Sequence, residues 1–274
     1  MSEKITGREN PGKINYKRHF CILEYPRSGG NWVLKLLSEY LNIPYRDIDK
    51  NPKSFIEKLN WKIFKIPNRA IFNQTRVKNP FSYLIKTHRF YQHEYKKIVY
   101  CIRDGRDVLA SYYYFEKDFK RKAMLRKPEF DFNPQLPDTS QFERYLKYRF
   151  ETKFPIFNWA EHIRKALKLN DVIFIKYEDL NNDTYNAFAN LLGNLEIKVD
   201  MEKVKKVCGH QSFDLEKKRI EKNNEKMGLH LRSGKIGEWV KIFNDASLKY
   251  FNEKAKDIMI ELGYYQINPK NVKN

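Results

Sequence analysis

Short apolar runs bounded by polar or turn-forming residues recur along the chain. Four of them, rich in β-branched or aromatic residues, predict buried strands at residues 20–25, 83–86, 98–102 and 172–176. Apolar residues at helical spacing follow the first, third and fourth runs: Trp32, Leu36, Leu37 and Tyr40; Val108, Leu109, Tyr112 and Phe115; Phe188, Leu191 and Leu192. Further helices are predicted near residues 142–169, 202–208 and 246–262. Strands that alternate with helices predict an α/β fold with a central parallel sheet flanked by helices.

Three longer segments interrupt this pattern, at residues 43–82, 120–141 and 217–231. We predict loops there, of the length that usually forms lids or binding segments. Residues 1–18 are polar, lack the apolar stretch of a secretory signal, and are predicted to form a flexible N-terminal segment. Residues 1–274 are predicted to form a single domain.

Composition narrows the class of protein. The chain has 274 residues of which 41% are hydrophobic, enough for a sizeable core, and no apolar run of about 18 residues predicts a membrane span. Its three cysteines are far apart, and Cys21 and Cys101 lie in strand-like runs where buried free thiols are the ordinary interpretation. We therefore expect a cytoplasmic protein.

The formal net charge of +19 is compatible with a nucleic acid, a membrane surface or a polyanionic substrate as a partner. Scattered lysines on solvated surfaces explain much of it, and peripheral contact with anionic surfaces is compatible with it. No basic helix or aromatic-basic sheet signature accompanies the charge, so no nucleic acid is expected as a partner.

A glycine-containing turn joins the first strand to the first helix. Residues 25–32 read Tyr-Pro-Arg-Ser-Gly-Gly-Asn-Trp. Gly29 and Gly30 allow backbone N–H groups to face an anion at the helix N-terminus, and Arg27 offers a cationic fork. Ser28 and Asn31 add donors. The alternative is an ordinary strand-to-helix turn; a Walker A loop is excluded because no lysine follows the last glycine.

Three further segments fall at strand ends or near the C-terminus. Lys86 and His88 end the second strand, where a histidine suits general-base work and a lysine stabilises negative charge, although a structural histidine is the alternative. Arg103 and Ser111 follow the third strand and can converge on a phosphate. The alternative, which explains the segment almost as well, is a capped helix start with Asp104 and Asp107 as capping or ion-pair residues. Residues 232–239 read Arg-Ser-Gly-Lys-Ile-Gly-Glu-Trp. This sequence suits a segment that closes over a nucleotide, and a plain surface turn is the alternative.

The histidines show no metal-ligand spacing with cysteines or carboxylates, and no metal is expected.

In this order, the segments resemble the cytosolic-type sulfotransferase family, whose fold is P-loop NTPase-like. Its 5′-phosphosulfate loop reads Tyr-Pro-Lys-Ser-Gly-Thr-Thr-Trp, and its Lys-Thr-His element is unchanged at residues 86–88. Residues 103–115 are similar to the family's 3′-phosphate segment, Arg-Asn-x-x-Asp-Val-x-x-Ser-Tyr-Tyr-x-Phe. The family's Tyr-Glu-Asp-Leu element recurs at residues 177–180. Residues 232–239 resemble its closing segment, Arg-Lys-Gly-x-x-Gly-Asp-Trp. The matched segments span residues 20–243.

The resemblance implies a role for each matched residue. The donor would be 3′-phosphoadenosine-5′-phosphosulfate (PAPS), and the product 3′-phosphoadenosine-5′-phosphate (PAP). The 5′-phosphosulfate would be held by Arg27, Ser28, Gly29, Gly30, Asn31 and Trp32. The 3′-phosphate would be held by Arg103, Ser111, Arg232, Ser233 and Gly234. Tyr177, Gln211 and Phe213 would meet the adenine. His88 would take the acceptor proton, while Lys86 and Arg27 stabilise the transferring group.

Several positions depart from the family pattern. Arg27 replaces a lysine, Gly30 and Asn31 replace two threonines, and Ser233 replaces a lysine. The family's dimer motif, Lys-x-x-x-Thr-Val-x-x-x-Glu, is absent after Trp239, which leaves the oligomeric state open.

Two other functions compete with a sulfotransferase at this point: a P-loop small-molecule kinase, and a basic nucleic-acid-binding module without catalysis. We expect a small-molecule, lipid or glycan acceptor with a hydroxyl group. Aromatic residues of the long loops are candidates for an apolar acceptor pocket, with core packing as the alternative: Trp61, Phe64, Phe72, Phe119, Phe130 and Phe132.

Overall fold

Five parallel strands make up the sheet found in the described part of the chain. The structure is a computed structural model that describes residues 20–47, 84–90, 95, 97–121, 130–133, 135–152, 158–222 and 234–265. The strands are β1 (Phe20–Glu24), β2 (Tyr45–Asp47), β3 (Leu84–Thr87), β4 (Lys97–Ile102) and β5 (Val172–Lys176). Their order across the sheet is β2-β3-β1-β4-β5, and each strand runs parallel to its neighbours.

Helices connect and cover these strands. They are α1 (Gly30–Leu41), α2 (Gly105–Arg121), α3 (Asp138–Glu151), α4 (Trp159–Ala166), α5 (Tyr177–Asn182), α6 (Thr184–Asn194), α7 (Met201–His210), α8 (Phe213–Lys222) and α9 (Asp245–Glu261), with a 3-10 helix at Glu238–Lys241. Among the residues described, no helix is both long and apolar enough to cross a membrane.

Side chains alternate between the two faces of the sheet and build a separate core on each. On β4, Tyr100 and Ile102 join the core formed with α2, α3, α4 and α9, while Val99 and Cys101 join the core formed with α1, α6 and α7. Because both faces are covered, the strands are nearly continuous apolar runs. This confirms the predicted fold class.

The predicted strand bounds agree with the structure to within one or two residues. The prediction of a buried strand at 172–176 was wrong in its burial, because β5 lies at the edge of the sheet and Phe174 is 38% exposed. The prediction of one loop over residues 43–82 was wrong at its start, because β2 lies there. β2 has three residues, too few for an alternating pattern, and it forms because it pairs with β3 along Tyr45–Leu84 and Asp47–Lys86. Residues 48–83 lie outside the described ranges.

The other two predicted loops also overlap helices. α2 extends to Arg121 and α3 begins at Asp138, within the predicted loop 120–141. α8 covers part of the predicted loop 217–231; its charged residues leave little apolar periodicity, and an ion pair between Lys35 and Glu216 joins it to α1. The predicted N-terminal segment 1–18 lies outside the described residues.

The predicted helical stretch 142–169 is two helices, α3 and α4. Phe130 and Phe132 belong to the buried core with Tyr113 and Tyr145, in line with the packing alternative. The side chains of the other candidate aromatics lie outside the described part of the chain. All three cysteines are buried and free, as expected for Cys21 and Cys101.

Candidate functional site

The carboxyl ends of four strands carry most of the residues that the sequence marked as functional. The turn at residues 25–29 follows β1, His88 follows β3, Arg103 follows β4, and Tyr177 begins α5 directly after β5. Because all these strands are parallel, their carboxyl ends form one edge of the sheet, where ligands of open α/β sheets bind.

The turn between β1 and α1 has the backbone geometry of an anion cradle. Gly29 has a φ of 99°, and a Cβ there would lie 2.7 Å from the Tyr177 ring. Arg27 has a φ of 78°, which side-chain-bearing residues rarely adopt, while Ser28 between them does not have a positive φ. Such alternation turns successive N–H groups inward into a concave nest. The nest leads into the N-terminus of α1, which carries partial positive charge.

The guanidinium group of Arg103, which follows β4, meets this turn beside Arg27. Arg27 Nε donates to Ser111 Oγ at 3.1 Å, and the Arg103 guanidinium donates to the Arg27 carbonyl oxygen at 3.4 Å. Arg103 also lies over the Tyr177 ring, 4.3 Å from its centroid. Tyr177 in turn donates to the Gly234 carbonyl oxygen at 2.7 Å. The residues predicted for the two phosphates and the adenine are thus neighbours.

Three buried donors around the turn lack a hydrogen-bond partner within the part of the chain that the structure describes. They are Ser28 Oγ, Trp32 Nε1 and Arg103 Nε. Buried polar groups in proteins are nearly always hydrogen-bonded, so an orphaned cluster needs an explanation. A ligand rich in acceptor oxygens fits here, because all three groups can donate and two of them can only donate.

A buried ionic cluster lies beside the turn. Lys86 is 2% exposed and pairs with Glu24 Oε1 at 3.2 Å and with Asp47 Oδ2 at 3.6 Å. The Lys86 ammonium also lies 3.2 Å from His88 Nε2. His88 Nδ1 lies 3.2 Å from the Glu24 carbonyl oxygen. Since a carbonyl oxygen only accepts, Nδ1 carries the proton and Nε2 carries the lone pair.

A second histidine supports the first. His162 is fully buried on α4, and its Nε2 lies 2.8 Å from the His88 carbonyl oxygen. Nε2 therefore donates, and Nδ1 accepts from the Tyr100 hydroxyl at 2.5 Å. Burial lowers the pKa of His162 to about 4, so the ring is neutral near pH 7. This histidine anchors the backbone that carries His88.

His162 is expected to make the free energy of unfolding depend on pH. Its folded pKa of about 4 lies below the ordinary value of 6.5, so its contribution is complete above pH 6.5 and is lost as the pH falls toward 4. The linkage between protonation and folding lowers the free energy of unfolding by about 2.5 kcal/mol at pH 4.5. We expect His162→Gln, which does not titrate, to lack this component. Urea unfolding of both proteins at pH 7 and 4.5 measures it, and identical pH dependences would contradict the prediction.

The segment after Gly234 is fastened to the start of α2. Asp107 accepts N–H groups from Gly237 at 2.7 Å and from Trp239 at 3.0 Å. The sequence interpretation of Asp107 as a capping or ion-pair residue missed this contact across 130 positions of the chain. Asp104 does pair with Arg106, as that interpretation proposed. The segment predicted to close over a nucleotide is therefore held beside the β4–α2 turn.

The remaining predicted site residues lie in several different places. A Cβ on Gly234 would lie 2.7 Å from the Phe213 ring, which puts Phe213 beside the closing segment. The Gln211 amide donates to Glu39 on α1. Asn31 is exposed in the first turn of α1. Arg232 and Ser233 lie outside the described residues.

Sequence reasoning missed Glu24 and Tyr100. Glu24 is 2% exposed, and its Oε2 accepts the Gly30 N–H at 2.6 Å. A carboxylate as the last residue of an apolar strand, directly before the turn, was a signal for it. No comparable signal exists for Tyr100, because its partner His162 is 62 positions away. Among the described residues, no group of three or more His, Cys, Asp or Glu is arranged to hold a metal ion.

Comparison with known proteins shows which family this chain belongs to. Mouse sulfotransferase 1E1 is 25% identical over 260 residues, covering 87% of this chain and 82% of that protein. Mouse sulfotransferase SULT7A1, solved in complex with PAP, shares the fold with a TM-score of 0.62 at 19% identity, covering 91% of this chain and 89% of that one. Retinol dehydratase, solved with androsterone and PAP, shares it with a TM-score of 0.61 at 18% identity, covering 89% and 81%.

The sulfotransferase domain family matches residues 17–263, and the chain belongs to that family. It is accordingly a PAPS-dependent sulfotransferase with the P-loop-like fold of the family.

Proposed function

We propose that this sulfotransferase moves the sulfuryl group of PAPS to a hydroxyl of a small-molecule, lipid or glycan acceptor, with His88 as the general base. The observation that carries the proposal is the position of three orphaned donors, Ser28, Trp32 and Arg103, around one anion cradle. Lys86 lies on β3, the strand that pairs directly with β1, and His88 follows the end of that strand.

Contacts within the chain support the proposed donor site. The turn at residues 25–29 and the N-terminus of α1 suit the 5′-phosphosulfate, because the helix dipole favours an anion there. The Gly30 N–H is already paired with Glu24 and the Ser28 N–H with the Tyr25 carbonyl oxygen, so the Ser28 hydroxyl and the other N–H groups of the turn are the proposed donors. Arg103 and Ser111 suit the 3′-phosphate, and Arg103 already lies over the Tyr177 ring. Trp32 and Tyr177 meet edge to face with their centroids 6.0 Å apart, which offers an aromatic wall for the adenine.

His88 and Lys86 have different roles in the transfer step. The acceptor oxygen attacks sulfur, the bond from sulfur to the bridging phosphate oxygen breaks, and PAP leaves with that electron pair. The acceptor proton goes to His88 Nε2, which carries the lone pair. An acceptor hydroxyl that takes the place of the Lys86 N–H at Nε2 frees the ammonium to face the transferring group. Cations and oriented N–H groups are what a charge-separating transition state needs.

The acceptor class rests on relatives and on charge. One structural neighbour was solved with androsterone, a steroid alcohol, and a lipid-like hydroxyl is therefore the first acceptor to test. The net charge of +19 suits anionic glycans as well. A cytoplasmic location and a single domain over residues 1–274 stay predictions.

The first experiment is a calorimetric titration of PAP into the wild-type chain without added metal. We expect stoichiometric binding, after which transfer of labelled sulfur from PAPS is measured against steroid, phenol, glycan and amine panels. Binding of Mg-ATP in place of PAP would favour a kinase. Labelling confined to amines or protein tyrosines would contradict the acceptor proposed here. Salt-sensitive oligonucleotide binding that survives Arg103→Ala would favour a nucleic-acid-binding module.

A further inference from the structure

We propose that Glu24 is a positioning residue of this active site, which holds Lys86 and His88 in their reactive arrangement and fixes the N-terminus of α1 beside them. The inference rests on the proposed function, because it concerns the same transfer step. Glu24 is the last residue of β1 and directly precedes the phosphate-binding turn.

Three oxygen atoms of Glu24 contact groups of the site. Oε2 accepts the Gly30 N–H at 2.6 Å, and Oε1 pairs with Lys86 at 3.2 Å. The Glu24 carbonyl oxygen accepts from His88 Nδ1 at 3.2 Å. One residue therefore contacts the anion cradle, the cationic group and the base.

The glycine at position 30 makes this contact sterically possible. A Cβ on Gly30 would lie 2.5 Å from the Glu24 carboxyl carbon and within 3 Å of both its oxygens. Any larger residue would displace the carboxylate from the turn. Gly30 and Glu24 thus fit each other, which gives a physical reason for glycine at a position where the family pattern has threonine.

Because Lys86 is buried, the negative charge of Glu24 is important for holding it in place. An uncompensated lysine ammonium is costly to bury, so a 2% exposed Lys86 needs carboxylate partners. Asp47 lies farther from the ammonium, at 3.6 Å, and retains 11% exposure of its side chain. Glu24 is the nearer partner and is almost as buried as the lysine. Its removal weakens the hold on Lys86 more than loss of Asp47 would.

His88 is set between charges of opposite sign. Lys86 on β3 faces Nε2, and Glu24 on β1 faces Nδ1, with Oε1 4.0 Å away. Asp47 on β2 pairs with Lys86 at 3.6 Å, and neutral His162 on α4 donates to the His88 carbonyl oxygen. The negative charge of Glu24 favours the protonated imidazole, which is the state His88 reaches after it takes the acceptor proton.

The test compares Glu24→Gln with the wild type in three measurements. Gln keeps an oxygen that can accept the Gly30 N–H but removes the charge. We expect kcat to fall about tenfold and the acid limb of the kcat/KM profile to move about one unit lower in pH, because an opposite charge within about 4–6 Å is lost. The Kd for PAP is expected to stay within about threefold, since the cradle N–H groups remain. Titration of the His88 ring by NMR, assigned with His88→Asn, measures the same pKa without an acceptor.

A matched control is Glu178→Gln, which removes another buried carboxylate. Glu178 accepts the Asp104 N–H and the Tyr264 hydroxyl and contacts neither Lys86 nor His88 among its paired groups. Its variant is expected to lose stability without moving the titration of His88. An unchanged His88 titration and unchanged kcat in Glu24→Gln would overturn the inference while leaving the sulfotransferase intact. A wild type that neither binds PAP nor transfers sulfur would instead refute the proposed function.

Discussion

Replacing His88 with asparagine is expected to lower kcat by about 10²- to 10⁴-fold, the usual contribution of a general base. The structure gives the reason: Nδ1 donates to the Glu24 carbonyl oxygen, so Nε2 is left as the proton acceptor. Asparagine can keep a hydrogen bond to that carbonyl but cannot accept a proton. The Kd for PAP is expected to change little, because the proposed mechanism places His88 next to the acceptor and not next to the nucleotide. Steady-state kinetics with labelled PAPS, together with calorimetry, separate the two effects.

The control for this variant is His210→Asn. His210 is an exposed histidine on α7 that pairs with Glu39, and its loss is expected to leave kcat unchanged. Activity of His88→Asn within about threefold of the wild type would refute the base assignment and transfer attention to Lys86.

Arg103→Ala is expected to raise the Kd for PAP by about 10²- to 10³-fold. Each hydrogen bond to a charged group contributes about 1.5–3 kcal/mol, so a guanidinium that makes two such bonds to a phosphate contributes about 3–6 kcal/mol, and the expected change takes the lower part of this range. Arg103 is already oriented for this by its bond to the Arg27 carbonyl oxygen and its stacking on Tyr177. Little conformational entropy is therefore lost when it binds. Calorimetry without metal measures the change.

Arg164→Ala serves as the matched control, because Arg164 is an exposed arginine on α4 that pairs with Asp257. Its loss changes the net charge equally and is expected to leave PAP affinity unchanged. If both variants weaken PAP to the same extent, the effect is one of net charge, and Arg103 is not a direct ligand.

The departures of this chain from the family pattern form a connected set. Gly30 leaves room for the Glu24 carboxylate, which in turn pairs with Lys86. Arg27, in place of lysine, reaches Ser111 at 3.1 Å and lies over Phe115, 5.1 Å from the ring centroid. A lysine ammonium has no planar fork to make both contacts. The substitutions at this turn therefore support one another.

The sequence by itself determined the fold class and the edge of the sheet where the site lies. Runs such as 98–102 are largely buried strands because their apolar side chains are contiguous, and polar residues directly after them have to emerge at the carboxyl edge. Lys86, His88, Arg103 and the turn at 25–32 were identified for this reason, since each lies next to its strand in the chain.

Only the tertiary structure decided which distant groups control these residues. β2 exists because it pairs with β3, and His162 reaches the His88 carbonyl oxygen across 74 positions. Asp107 holds Gly237 across 130 positions. Hydrogen bonds of this kind depend on the packing of whole elements, which local propensity and periodicity do not encode. Glu24 lies between the two cases: its place at a strand end is visible in the sequence, but its pairing with Lys86 and Gly30 arises only when β1, β3 and α1 are assembled.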